Sequence, residues 1–210
     1  MATLNACEIY GMKNKGAIAP SYVADIVVAD DLNLSSISQV YKNGKLVCEN
    51  GKALFECETV DNSKVTNTVH LPKISADFFK TDVKDKFDAI ELIPESIITK
   101  KVTVSYSDSL SKVCVIERHH NLGTKGIGFV TNYGITNGAI ATSIGHDSHN
   151  VIVIGDNDSD MALAVNTLGT SGGIAVCSEG KVIASMTLDI AGLMSVKSAD
   201  EVTREHDNLY

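Results

Sequence analysis

Two short segments of this sequence combine imidazoles with carboxylates. One is "ERHH" at residues 117–120, and the other is "HDSHN" at residues 146–150. Imidazoles carry protons near neutral pH and bind zinc, manganese or iron, and neighbouring carboxylates orient them or fix their tautomer. If the two segments meet in space, three or four imidazoles share one site. The predicted pocket residues are Glu117, His119, His120, His146, Asp147 and His149.

The local spacing decides which of these side chains can act together. Successive residues of a β-strand point to opposite faces, so His119 and His120 line one pocket only if the strand ends there. His146 and His149 are three residues apart, a spacing that lets a tight turn aim both imidazoles at one point. The predicted metal ligands are His120, His146 and His149. The alternative for both segments is a set of solvated loop side chains whose polar groups satisfy the backbone.

A third segment places acidic residues directly after an aliphatic run. "VIVIG" predicts a short strand with both faces buried, and "GDNDSDM" follows from Gly155. This resembles the last motif of haloacid-dehalogenase-type phosphatases, which also need an aliphatic strand leading into Asp-x-Asp, whereas this chain has adjacent Asp30 and Asp31. We therefore interpret these acids as residues that cap the start of a helix and interact favourably with its dipole. A magnesium-dependent phosphatase that uses Asp156 and Asp160 stays as an alternative.

The composition restricts the setting of the protein. The 210 residues carry a formal net charge of −8, which argues against a nucleic-acid partner because phosphates need clustered Lys and Arg. The five cysteines are an odd number without a CxxC pair, so a reducing compartment is favoured over a disulfide framework. No apolar run approaches the roughly 18–20 residues of a membrane span. We predict a cytoplasmic protein with neither nucleic acid nor membrane as partner.

The residue patterns predict an α+β fold in two parts. Residues 1–60 predict β-structure, in which the apolar run "ADIVVAD" precedes a three-stranded β-meander. Asn43–Gly44 and Asn50–Gly51 indicate the meander, because each pair is typical of a hairpin turn. Residues 61–75 are polar and predict a linker. Residues 76–210 predict a mixed α/β domain of short strands, one helix that starts near Asp156, and a last helix that Ser198 and Glu201 begin with a capping box.

Longer stretches of the sequence resemble a known family. "GMKNKGAIAPSYVADIVVADDL" with "VYKNGKLV" resembles the segment that follows the catalytic barrel in amidohydrolases. "IERHHNLGTKGIGFV", "GAIATSIGHDSHNVIVIGDNDSDMALAVN" and "IAGLMS" are similar to the C-terminal domain of the bacterial adenine deaminase family. The resemblance runs from about Thr3 onwards. It implies that the N-terminal meander is part of a composite β-sandwich.

The resemblance also implies a reaction for the intact enzyme. Adenine and water give hypoxanthine and ammonia, with manganese, iron or zinc held on a (β/α)₈ barrel that begins with His-x-His. No His-x-His occurs in these 210 residues, and this strand-rich pattern cannot contain the barrel. We therefore expect a C-terminal piece of such an enzyme, truncated within its last helix and inactive alone.

The four histidines are expected to face the barrel mouth, where they close the purine pocket or hold an auxiliary metal. Glu117 and Asp147 are expected to orient them. The alternatives are a non-catalytic metal- or purine-binding module, the phosphatase described above, and a purely structural or oligomerising domain.

The N-terminal meander yields a first prediction. The strands that complete the sandwich in the family are missing from these residues, so an apolar face and a strand edge are left to be covered. We expect a homo-oligomer, measured as a molar mass of at least twice that of the chain by light scattering after size exclusion. A clean monomer across the accessible concentrations would contradict this expectation.

Overall fold

A computed structural model describes residues 3–33, 36–58, 60–82, 85–105 and 110–209. Backbone contacts divide the chain into two compact units, Met1–Val60 and Asp61–Tyr210. The fold is α+β, as the residue patterns predict, with a small antiparallel sheet in the first unit and a larger mixed sheet in the second. The limits of the predicted domains and linker stay predictions. Among the described residues, no helix is long and apolar enough to cross a membrane.

The first unit is a short helix followed by a four-stranded antiparallel meander. Its elements are α1 (Leu4–Ile9), β1 (Ile26–Ala29), β2 (Ile37–Lys42), β3 (Lys45–Glu49) and β4 (Lys52–Ala53), with the strands in the order β1-β2-β3-β4. Both Asn-Gly pairs adopt positive φ angles, 51° and 76° at Asn43 and Gly44, as the hairpin prediction requires. None of the described residues of this unit is buried. The meander therefore has no closed core of its own.

The second unit contains an eight-stranded sheet. Its strands are β5 (Lys86–Leu92), β6 (Thr99–Ser105), β7 (Ser111–Ile116), β8 (Lys125–Thr131), β9 (Gly138–Thr142), β10 (Val151–Gly155), β11 (Gly173–Ser178) and β12 (Lys181–Thr187). They lie in the order β12-β11-β9-β10-β7-β8-β5-β6. Only the pair β5 and β8 is parallel, among the strands that the structure describes. The helices are α2 (Asp158–Thr167) and α3 (Ala199–Asp207), and a 3₁₀ turn spans Ala76–Phe79.

The core lies between the central strands and α2. Strand β10 buries Val151 and Val153 completely, and α2 packs Met161 and Val165 into the same apolar cluster. The alternate residues of β10 are only partly buried, so the expectation that both faces of this strand are buried is wrong. The physical reason is the sheet type: an antiparallel sheet needs a helix on one face only, and α2 covers that face.

Residues 61–75 contain no regular element, yet they pack within the second unit. Val69 and Ile74 are 1% and 3% exposed. The amide side chain of Asn166 on α2 donates to the Ile74 carbonyl at 2.7 Å and accepts from the Ile74 amide at 3.0 Å. The backbone N–H of Val69 donates to the Thr170 carbonyl at 3.1 Å. This polar segment is thus fastened along α2 and the turn that follows it.

"GDNDSDM" provides a cap for α2, as the capping interpretation predicts, and two of its acids bind backbone amides of other segments. Asn157 is the N-cap of α2 and accepts from the Asp160 amide at 2.8 Å. Asp156 accepts from the amides of Asn137 and Gly138. We call this end of the sheet, where β10 finishes and α2 begins, the acidic end. The phosphatase alternative gains no support from carboxylates that are committed in this way.

Asp160 is the most buried of these acids, at 3% exposure. Its carboxylate accepts from the Glu179 and Gly180 amides at 3.1 and 2.8 Å, which closes the turn between β11 and β12. It also accepts from the Asn157 side chain at 2.9 Å. A single buried carboxylate therefore joins the start of α2 to a distant hairpin.

Asp160→Asn yields a stability prediction. The amide nitrogen of the new side chain faces backbone donors, so at least one buried group loses its partner, at a cost of about 1–3 kcal/mol in the free energy of unfolding. Urea unfolding followed by circular dichroism measures the change. Asp158→Asn is the control, because its pair with Lys112 is partly solvated and is expected to contribute only about 0–1 kcal/mol. Equal losses for the two variants would contradict this account of Asp160.

Candidate functional site

The strand order brings the two histidine segments to one end of the sheet. Strand β10 pairs antiparallel with β7 on one side, where Val151 lies opposite Ile116, and with β9 on the other, where Ile152 lies opposite Thr142. The end of β7, the end of β9 and the start of β10 are therefore neighbours. We call this end, with residues 117–120 and 143–150, the histidine end. It lies at the opposite end of the strands from the acidic end.

Direct contacts join the two segments at the histidine end. The ring Nε2 of His119 lies 3.0 Å from the Ser148 carbonyl oxygen, a hydrogen-bonding distance. The guanidinium Nε of Arg118 donates to the His149 carbonyl. Two neighbouring residues of "ERHH", Arg118 and His119, thus each contact a residue of "HDSHN".

Glu117 supports the backbone of its own segment. Its carboxylate accepts from the amides of His119, His120 and Leu122 at 2.5, 2.7 and 3.0 Å. These bonds, above all the one from the Leu122 amide, hold the pKa of the Glu117 carboxyl below its usual range. Glu117 therefore shapes the loop that carries the two histidines and does not contact their rings through these bonds.

The imidazoles differ in their surroundings. His119, His120 and His146 are exposed, whereas His149 is partly buried. The ring centroids of His119 and His120 are 6.4 Å apart, and those of His146 and His149 are 6.3 Å apart. Asp147 contacts the Nδ1 of His146 directly, although both side chains are at least 85% exposed. The structure thus gathers the predicted residues at one end of the sheet with their rings spread over its surface.

A metal site is not preformed in the part of the chain that the structure describes. No group of three or more His, Cys, Asp or Glu side chains there is arranged to hold a metal ion. Imidazole ligands lie about 2.0–2.1 Å from zinc, so rings with centroids more than 6 Å apart must turn their nitrogens towards one another to share an ion. The assignment of a metal to His120, His146 and His149 stays a prediction.

The histidine end also contains a buried arginine, Arg118, which the pattern of histidines in the sequence does not indicate. Arg118 is only 2% exposed. Its Nη2 donates to the Ala191 carbonyl at 2.9 Å, and its own carbonyl accepts from the His70 amide at 2.7 Å. Burial lowers the pKa of Arg118. The strand pattern contained a signal for this position, because Arg118 continues the alternation of the buried residues Cys114 and Ile116.

Two further residues of the histidine end also escaped the sequence reasoning. The hydroxyl of Ser143 is fully buried, donates to the Gly192 carbonyl at 2.6 Å and accepts from the Gly173 amide at 2.7 Å. His70 lies beside Arg118 through its backbone and has an exposed side chain. Both depend on contacts between positions far apart in the sequence, so no local spacing indicates them.

The loop at residues 145–150 contains polar atoms without partners. The Nδ1 of His149 and the Oδ1 of Asn150 are buried, and neither has a hydrogen-bond partner among the described residues. His149 also has a φ of 52°, in the left-handed region that non-glycine residues rarely adopt. Buried groups of this kind cost about 1–3 kcal/mol each and call for an explanation in a native structure.

Comparison with known proteins places these residues in a family. The adenine deaminase C-terminal domain matches residues 91–210, which include both histidine segments. The chain belongs to this family. Residues 1–48 match the amidohydrolase family. The resemblance stated for the two parts of the sequence is thereby confirmed.

The relatives of this family member are longer proteins. Adenine deaminase 2 of Carboxydothermus hydrogenoformans is 40% identical over 223 residues, which cover 100% of this chain and 39% of the relative. The adenine deaminase of Clostridium acetobutylicum is 42% identical over 96% of this chain and 38% of the relative. The chain therefore spans about two fifths of the length of these relatives.

The Glu117 carboxylate yields a pH prediction. Its pKa is lowered in the folded chain, so the stabilisation is present above the unfolded value of about 4.3 and is lost as the pH falls through the folded pKa. We expect the amides of His119, His120 and Leu122 to be protected from hydrogen exchange near pH 6 and to lose protection in acid. In Glu117→Gln, the protection of these amides should be weaker near pH 6. It should also change little when the pH is lowered further.

Nuclear magnetic resonance measures the exchange of these three amides. Glu179→Gln, in the exposed turn between β11 and β12, is the control and should leave them unchanged. Equal protection in wild type and Glu117→Gln would show that the carboxylate does not hold the loop.

Proposed function

We propose that this chain is the C-terminal portion of an adenine deaminase and that its histidine end closes the purine pocket of the complete enzyme. The reaction of that enzyme is the conversion of adenine and water to hypoxanthine and ammonia. The observation that carries the proposal is the family match, which covers both histidine segments and is shared with relatives named adenine deaminase. The contact between His119 and Ser148 supports the placement of both segments at one site.

In the proposed reaction, some of the reacting groups belong to this chain and others belong to the part of the relatives that this chain does not match. Among the described residues, the side chains do not form a metal centre, so no step is assigned to a metal held here. Manganese, iron or zinc would be held by residues of the remaining part and, when bound, would supply Lewis-acid activation of water. Attack at C6 of the purine and departure of ammonia then require proton transfer and exclusion of bulk water.

The exposed imidazoles are the groups of this chain that suit such a role. His119 is oriented by the Ser148 carbonyl and His146 by Asp147, so each ring is directed by a neighbouring oxygen. An imidazole with one nitrogen bonded in this way presents the other to a ligand. Arranged around a purine, such rings donate or accept hydrogen bonds at its ring nitrogens and shield it from water.

A two-piece enzyme tests the proposal. The unmatched part of the Carboxydothermus hydrogenoformans relative is co-expressed with this chain, and adenine turnover is followed by the change in ultraviolet absorbance. We expect no turnover by the 210-residue chain alone and measurable turnover by the combination. Turnover by the chain alone, or none by the combination although the two pieces associate, would overturn the proposal.

A fourfold alanine variant locates the function at the histidine end. Replacing His119, His120, His146 and His149 in the two-piece enzyme should lower kcat/KM by about 100-fold or more, the usual scale for loss of acid–base groups. His206→Ala on α3 is the matched control and should leave kcat/KM unchanged. Unaltered activity of the fourfold variant would instead indicate a structural domain. Adenine binding by the chain without turnover in the combination would indicate a purine-binding module.

A further inference from the structure

We propose that Arg118 is the positioning residue of the histidine end. In this inference, which rests on the proposed function, its guanidinium fixes the loop at residues 145–150 so that His119 and His149 hold the orientation that the purine pocket requires. Arg118 itself does not contact substrate, since it is 2% exposed. It acts through the backbone carbonyls that it binds.

The geometry shows one residue joining three separate segments, two through its side chain and one through its backbone. The Nε donates to the His149 carbonyl, and the Nη2 donates to the Ala191 carbonyl at 2.9 Å. The Arg118 carbonyl accepts from the His70 amide at 2.7 Å. Segments that are 31 and 73 residues distant in sequence are thus tied to Arg118, two residues after the end of β7.

The partners of this guanidinium are neutral. Within the described ranges, Arg118 forms no ion pair with a carboxylate, and its hydrogen-bond acceptors are main-chain carbonyls. A charge buried with neutral partners is costly unless its hydrogen bonds are well directed. A planar guanidinium directs several donors at fixed angles, whereas a lysine ammonium is a point charge on a flexible stem. The site therefore depends on the shape of arginine as well as on its charge.

The loop that Arg118 holds needs external support. His149 Nδ1 and Asn150 Oδ1 are buried without partners in the described chain, and His149 has a positive φ of 52°. Left to itself, such a loop relaxes until these groups reach water. The bond from Arg118 to the His149 carbonyl opposes that relaxation at the strained residue itself. The same displacement would carry away the Ser148 carbonyl, which is the partner of the His119 ring.

Gly192 shows that the surroundings are fitted to the guanidinium. A Cβ at this position would lie 2.8 Å from Nη1 of Arg118, and Gly192 has a φ of 69°. Its carbonyl accepts from the buried Ser143 hydroxyl at 2.6 Å. The turn that contains the Ala191 acceptor is therefore anchored independently of Arg118, so that the guanidinium bridges a fixed turn and a loop that needs support.

Lys112 offers a matched control on the same strand. It lies at the other end of β7 and is partly buried, and its Nζ donates to the Phe79 carbonyl at 2.8 Å and pairs with Asp158. It thus resembles Arg118 in charge and in its bond to a main-chain carbonyl, but it serves the acidic end. Lys112→Met is expected to destabilise the fold without disturbing the imidazoles.

The experiment uses Arg118→Lys, Arg118→Met and Lys112→Met in the two-piece enzyme. We expect Arg118→Lys to lower kcat/KM at least about tenfold, mainly through kcat, because misplaced groups slow the chemical step more than they weaken binding. Arg118→Met should be lower still, and Lys112→Met should retain the wild-type values at a comparable or lower unfolding midpoint. Full activity of folded Arg118→Lys and Arg118→Met, or an equal loss of kcat/KM in Lys112→Met, would overturn the inference.

The isolated chain supplies a second measurement that needs no activity. Its two arginines are Arg118 and Arg204, and Arg204 lies exposed on α3. In spectra of the wild-type chain, the Nε–H of Arg118 should exchange with water at least about tenfold more slowly than that of Arg204. Both groups donate to a backbone carbonyl, Arg204 to that of Asp200 at 3.2 Å, so burial of Arg118 imposes the difference. In Arg118→Lys, the imidazole signals of His119 and His149 should shift, while those of His206 stay in place.

The activity measurement and the spectra distinguish a failure of the proposed function from a failure of the inference about Arg118. If the two pieces associate but lack activity, the proposed function fails, and the imidazole spectra still decide whether Arg118 positions the rings. If Arg118→Lys does not fold, the exchange rate of the Arg118 Nε–H in the wild-type chain decides whether the inference holds. Exchange as fast as that of Arg204 would overturn the inference, and slow exchange would support it.

Discussion

The histidine end of the large sheet depends on one buried guanidinium. Arg118 donates to carbonyls of two distant segments and accepts from a third through its own backbone. Without such a bridge, the loop at residues 145–150 would have to hold two unpartnered buried polar atoms and a left-handed histidine by itself. Hydrogen bonds to a charged donor are among the stronger ones in proteins, which suits a residue that must oppose this cost.

The opposite end of the same sheet uses carboxylates for a similar purpose. Asp156 and Asp160 accept from backbone amides that follow or precede strands, and Asn157 caps α2. Glu117 does the same for the loop after β7. Charged side chains that look catalytic in the sequence are thus committed to the orphan donors of turns and helix starts. At the histidine end, His119, His120 and His146 are exposed.

The open surface on which these imidazoles lie agrees with the function proposed for this member of the adenine deaminase C-terminal domain family. The relatives are about two and a half times as long as the matched region, and the proposed pocket is one that this chain builds jointly with their remaining part. Loops at one end of a sheet, held rigidly from beneath, are suited to complete a site on a neighbouring structure. The separate N-terminal unit, without a buried residue among those described, shows the same dependence on further structure.

The sequence by itself determined the elements and the family. A continuous aliphatic run indicated β10, the Asn-Gly pairs indicated the hairpins of the meander, and Ser198 with Glu201 indicated the capping box of α3, because each of these signals is local. Only the tertiary structure decided which side chains meet. The neighbourhood of residues 117–120 and 145–150 follows from the strand order, and the roles of Arg118, Ser143 and His70 follow from contacts across dozens of residues. Local spacing carries no information about such contacts, since they arise when the sheet is assembled.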